Sequence, residues 1–136
     1  AGLSMTLKVI LDSNFLFVPL QFKIDIFEAV GNLLNQKHEL IVLSTTHDEL
    51  QRMVRKGAPK LRKQAEMALK LAERCRLVVV KKDRGESNDD VILRVARKCR
   101  YAVATNDRML RQRLRDISVP VIYMRQKSRL ELEGSI

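Results

Sequence analysis

A chain of 136 residues and 15.7 kDa is long enough for one domain with a single sizeable core. Its residues are 46% hydrophobic, yet no apolar run approaches the length of a membrane span, and the reading is of a soluble protein without a membrane span or a secretory signal. Lysine and arginine number 26 against 16 acids, a net charge of +10, which favours a phosphate backbone or an anionic membrane surface as partner, while only 4% aromatics argue against a base-stacking platform.

The positive charge is unevenly placed: residues 1 to 50 hold Lys8, Lys23 and Lys37 against six acids, so the basic character lies in the remainder. Cys75 and Cys99 lack CxxC spacing and read as small buried hydrophobes near helix ends, which favours a reducing, intracellular and cytoplasmic setting. Residues 5 to 125 are expected to form the one domain. Residues 126 to 136 are expected as a basic and polar tail, only partly ordered.

In chain order, "LKVIL" (7 to 11) is the first predicted strand, followed by a loop through Pro19. Apolar residues at helical spacing from Phe22 through Leu34 predict a helix up to about Gln36. "LIVLS" (40 to 44) is the second strand, and a helix over 47 to 56 is stopped by Gly57 and Pro59. Leu61, Ala65, Ala68, Leu69 and Ala72 mark the next helix, and "RLVVV" (76 to 80) reads as a buried strand. After the polar turn "KKDRGES" comes a helix with Val91, Ile92, Val95, Ala96 and Cys99 on one face. "YAVAT" (101 to 105) is the fourth strand, a helix over 106 to 115 buries Met109, Leu110 and Leu114, and "VPVIYM" closes as an edge strand that tolerates Pro120. Strands alternating with helices predict an α/β fold: a three-layer α/β/α sandwich around a central, mostly parallel, five-stranded sheet.

Ligands of open parallel sheets bind beyond the carboxyl ends of the strands. Asp12 follows "VIL" directly, Glu49 falls in the first turn of the helix after "LIVLS", Asp89 opens the helix after "RLVVV", and Asp107 comes just after "YAVAT". All four are therefore expected on one edge, where their mutual repulsion calls for a cation. Oxygen donors without cysteine or histidine suit a hard ion, Mg2+ or Mn2+. Each acid has a plainer competing role. Thr46-x-x-Glu49 and Ser87-x-x-Asp90 both match a capping box. Thr105 as a cap would put Asp107 at the second helical position, and Asp12 alone would suit an Asx-turn with Ser13 or Asn14.

The blocks "ILDSNFL", "STTHDEL", "NDDVILRVA" and "VATNDRMLRQRLR" resemble, in order and spacing, the four motif blocks of the PIN-domain nucleases, over nearly the whole chain from Leu7 to about Met124. The first and last blocks look closest to the archaeal and eukaryotic branch that processes pre-ribosomal RNA. The resemblance implies Asp12, Glu49, Asp89 and Asp107 as the acidic catalytic and metal-holding quartet, Asp90 as an additional candidate carboxylate, and Asn14 and Thr105 as accessory polar groups. It further implies a Mg2+- or Mn2+-dependent endoribonuclease acting on RNA, single-stranded by expectation. Arg108, Arg111 and Arg113 are the candidates for holding its backbone, and a homodimer is left open. The rivals are a toxin ribonuclease of a toxin–antitoxin pair and an RNA-binding module that does not cut. Neither GxGxxG nor GxxxxGK[ST] is present, so a dinucleotide or P-loop site lacks its phosphate cradle. An aspartyl phosphotransfer site would want an acid where Asn14 stands. His38 and His47 read as surface or packing residues.

Overall fold

The computed structural model describes residues 6–136, so the expected domain start at Met5 lies outside the described residues. Thirteen elements follow in order: β1 (Leu7–Leu11), a 3-10 turn (Ser13–Phe17), α1 (Val18–Phe22), α2 (Ile26–Leu34), β2 (His38–Leu43), α3 (Ser44–Lys56), α4 (Pro59–Ala72), β3 (Arg76–Val78), α5 (Asn88–Cys99), β4 (Ala102–Ala104), α6 (Arg108–Asp116), β5 (Val121–Arg125) and β6 (Arg129–Glu133). One six-stranded sheet runs β3-β2-β1-β4-β5-β6, parallel throughout except for the antiparallel β5–β6 pair. Strand order reverses direction at β1, with β2 on one side and β4 on the other. That is the switch point where the carboxyl ends of neighbouring strands leave a crevice.

Strict alternation along the strands builds two cores. Val9, Leu11, Leu40, Val42, Ala102, Ala104 and Ile122 point to the face covered by the 3-10 turn, α2 and α4, where Phe15, Leu16, Val30 and Ala68 are buried. Ile10, Ile41, Leu43, Val103 and Val121 point the other way, against Val91, Ile92, Val95, Leu110 and Leu114 of α5 and α6. Buried residues on both faces explain why the central strands read as unbroken apolar runs. Between α3 and α4 the chain turns at Gly57, where a Cβ would stand 2.5 Å from the Met53 carbonyl oxygen, and Pro59 opens α4 at a position whose N–H has no helical partner.

Several expectations need correcting. The sheet has six strands, not five, because the segment read as a partly ordered basic tail supplies β6, whose Glu131 and Glu133 balance Arg129 and, in the preceding turn, Lys127. The closing strand β5 is therefore interior rather than an edge. Its hairpin turn places Gln126 and Lys127 at positive φ, which Gln-Lys, unlike Asn-Gly, does not advertise. The strand expected to be buried, β3, is an edge strand, and Leu77 within it and Val79 just beyond it are 51% and 81% exposed. The long first helix is broken at Lys23, left-handed with φ 54°, and the loop through Pro19 is instead the 3-10 turn and α1. Met109, expected inside, is 77% exposed, and Cys99, at the last position of α5, is exposed too. Cys75 is partly buried, and desolvation pushes its thiol up to about 11. Among the described residues no helix is long and apolar enough to cross a membrane.

Candidate active site

Asp12 is the first residue beyond β1, and its backbone N–H still reaches the Ala104 carbonyl of β4, so strand pairing fixes its position. Its side chain is 7% exposed. One carboxylate oxygen accepts from the Ser13 N–H at 2.8 Å, capping the 3-10 turn, and the other accepts from the Thr105 hydroxyl at 2.7 Å. Thr105 is fully buried, and its oxygen in turn accepts from the Asp107 N–H at 3.1 Å. Its single proton goes to Asp12, so the longer 3.4 Å approach to the Asn14 oxygen is not a second full bond. Asn14 instead accepts from the Asn106 N–H, and the Asn106 side-chain oxygen accepts from the Met124 N–H. This network ties β1, the β4–α6 loop and β5 together beneath the crevice.

The other acids arrive on helices. Helix α3 starts at Ser44, directly off β2 and without a side-chain cap, so Glu49 sits in its second turn and the Thr46 capping box does not form. The Asn88 side-chain amide donates to Glu49 Oε2 and accepts from Lys82 Nζ on its other side, which fixes the amide's orientation. Ser87 caps α5 in a full capping box with Asp90, leaving Asp89 as the second helical residue with no hydrogen bond to its carboxylate among the described residues. Asp107, expected at the second position behind a Thr105 cap, is itself the cap of α6. One of its oxygens accepts from the Met109 and Leu110 N–H groups.

The four carboxylates influence one another. Burial pushes the Asp12 carboxyl up to about 6. The Thr105 hydroxyl and the Ser13 N–H pull it down, while the charges of Asp89 and Glu49 push it up. Asp89 is also raised, first by burial and then by Asp107 and Glu49, with Arg113 opposing. Among the described residues none of the four forms an ion pair within 4.0 Å. Asp90 behaves in the opposite way. The Ser87 backbone N–H and the Arg113 guanidinium hold it down at about 2, with Arg113 Nη2 at 2.9 Å.

Glu49 Oε1, both Asp89 oxygens and one Asp107 oxygen accept no hydrogen bond among the described residues, and all are hard oxygen donors beside a buried carboxylate. That chemistry fits a divalent cation. Among the described residues no three His, Cys, Asp or Glu side chains are gathered at metal-holding spacing, so the fit rests on donor type and unspent oxygens. Of the arginines on α6, Arg111 stacks over Tyr123 with Glu133 at 4.0 Å, Arg113 pairs with Asp90, and Arg108 has no ion-pair partner among the described residues. Asn88 and Asn106 carried no assigned role in the sequence. Their only signal was an asparagine immediately before each of the last two acids.

Acids that follow the strands of a mostly parallel sheet, with Asp12 at its switch point, stand where ligands of such sheets bind. The chain belongs to the PIN-like domain family, whose model matches residues 9–127. It is 27% identical over 129 residues to ribonuclease VapC4 of Methanocaldococcus jannaschii, covering 95% of this chain and 98% of that protein. Its structure is similar to that of the PIN domain endonuclease Utp24, with a TM-score of 0.76 and 30% identity over 95% of this chain and 92% of the other. A domain of a functionally unknown protein from M. jannaschii shares the fold at 13% identity, with a TM-score of 0.67 over 96% of this chain and 99% of that one.

Proposed function

We propose that the chain is a Mg2+- or Mn2+-dependent endoribonuclease that hydrolyses phosphodiester bonds in single-stranded RNA, and that its task lies in ribosomal RNA processing. The observation that carries this reading is the set of four carboxylates from four segments, with Asp12 buried and raised by Asp89 and Glu49, Asp89 raised by Asp107 and Glu49, and none of the four in an ion pair within 4.0 Å among the described residues. Acids kept in that state lower the stability of the metal-free protein, which is the mark of a functional site rather than a structural one. Membership of the family and the likeness to a ribonuclease and an endonuclease support the activity. The net charge of +10 and the resemblance of the first and last motif blocks support a ribosomal RNA substrate.

Asp12, Glu49, Asp89 and Asp107 would hold the ion, which would supply Lewis acidity toward the phosphodiester and the attacking water. Thr105 orients Asp12 through its 2.7 Å hydrogen bond, and Asn88 orients Glu49. Asp90 is spent on its cap and on Arg113 and is left out of the ligand set. Arg108, Arg111 and Arg113 would hold the RNA backbone beside the cut, with Asn14 supporting the loop from which α6 springs. The alternative of a toxin ribonuclease draws its support from the likeness to the archaeal ribonuclease.

Labelled single-stranded RNA incubated with Mg2+ or Mn2+ should show internal cuts that a chelator abolishes and that Asp12→Asn lacks. Binding without cleavage under either metal would instead make the chain a non-cutting module.

A further inference from the structure

The rim of the crevice facing α6 across the acids has its own cavity, of about 300 Å³, between the first turns of α3 and the segment 80–88. Ser44 anchors that segment by accepting from the Val80 N–H at 2.9 Å and donating to the Val80 carbonyl at 3.3 Å. Glu49 and Asn88 line the cavity, so it shares Glu49 with the candidate metal site. Its other walls carry Arg52, Lys81 and Lys82. Among the described residues Arg52 and Lys81 have no ion-pair partner, and Lys82 makes only the 3.3 Å contact with the Asn88 amide. Asp48 also lines the cavity, one turn before Arg52, yet no ion pair within 4.0 Å joins them.

Thr45 lines the same cavity, is 8% exposed, and its hydroxyl is the one buried side-chain polar atom without a hydrogen-bond partner among the described residues. A buried hydroxyl without an acceptor costs free energy that a ligand oxygen would return. The two rims therefore differ in kind. On α6, Arg111, Arg113 and Arg115 are already close to Glu133 or Asp90, leaving Arg108 without an ion-pair partner, whereas none of the three cations beside Glu49 has one among the described residues.

We infer that this cavity is a phosphate subsite: it takes a phosphodiester of the RNA neighbouring the one that is cut, with Arg52, Lys81 and Lys82 as charge partners and Thr45 as an uncharged donor. The inference rests on the nuclease reading for its ligand, and a binding measurement in chelator tests it without requiring cleavage. The strand would cross the acids from α6 to α3, gripped on both sides of the scissile bond.

The probe is a fluorescent oligouridylate, used intact and as a series in which one linkage at a time is an uncharged methylphosphonate. Arg52→Gln/Lys81→Gln, which changes two exposed side chains with no hydrogen bond or ion pair to Glu49 or Asn88 among the described residues, should weaken binding about tenfold. It should also make the slope of log affinity against log salt shallower by about 0.7, the share of one phosphate on a single strand. One particular neutral linkage should weaken binding to the wild-type chain and cost the double variant nothing further. Thr45→Val should bind about fivefold more weakly while melting at a higher temperature, because it removes an unsatisfied buried hydroxyl without changing volume. A purely structural hydroxyl would leave affinity untouched. Additive losses at every linkage, an unchanged salt slope, or full affinity in Thr45→Val overturns the subsite. Coupled losses in a chain that cuts no RNA would preserve the subsite and sink the nuclease reading, and the reverse pattern would do the opposite.

Discussion

The floor and the rim of the crevice treat the same side chain in opposite ways. Asp89 and Asp90 are neighbours on α5, yet Asp89 is raised by burial and by other acids, while Asp90 is held at about 2 by the Ser87 cap and Arg113. Around the rim the pattern repeats: Glu86 is lowered by Arg94, which bonds both of its oxygens at 2.9 Å. On the floor Asp12 is pushed up to about 6, with Thr105 as its only side-chain donor among the described residues. Asp90 and Glu86 have been given arginine partners, whereas among the described residues the acids that serve the proposed chemistry form no ion pair within 4.0 Å. A helix N-terminus alone does not separate the two groups, because Asp107 caps α6 and still belongs to the floor.

The sharpest way to break this contrast is Asp12→Asn. Cleavage should fall by about a hundredfold or more, since changes to groups that merely support metal ligands already cost about 10–100-fold. Thermal stability near neutral pH should hold or rise, because a desolvated charge has gone while the Ser13 cap can persist. A melting temperature that drops with activity intact would make Asp12 a structural acid. Thr105→Val should come next. It deprives a buried carboxylate oxygen and the Asp107 N–H of their partners, for a loss of about 1–3 kcal/mol in unfolding free energy and about tenfold in cleavage. Because the Thr105 hydrogen bond lowers the Asp12 pKa, the acidic limb of the rate profile should move to higher pH in this variant.

The pH dependence of stability tests the floor as a whole. Asp12 binds its proton more tightly folded than unfolded, so its contribution to stability is greatest below 3.8 and is lost as pH rises through about 6. The metal-free protein should lose roughly 2–3 kcal/mol from this group across that window, and Asp12→Asn should flatten the curve. The rim has the opposite sign: the Asp90 contribution is present above 3.8 and lost as pH falls through about 2. Asp90→Asn is the smallest expected effect. It should alter cleavage by less than about threefold, since exposed ion pairs contribute little, and a loss near that of Asp12→Asn would move Asp90 into the ligand set.

Much of this was legible in the sequence. The compact apolar runs "LKVIL" and "LIVLS" mark central strands buried on both faces, because successive side chains on a strand point to opposite sides. Ser87-x-x-Asp90 gave its cap because the motif is satisfied within four residues. Long-range packing overrode other local signals. Thr46-x-x-Glu49 carries the same kind of motif, but α3 begins three residues earlier than expected, tied by Ser44 to Val80, and Glu49 is freed for the crevice. The sequence could not show that "RLVVV" lies at an edge and "VPVIYM" does not, since strand order depends on which strands pair: β3 finds only β2, and β5 becomes interior only because the segment after it returns as β6. Four acids at strand ends could be read one by one from the chain. Their shared charge, their burial and the choice of which acids go without a cation exist only once the sheet has brought β1 and β4 side by side.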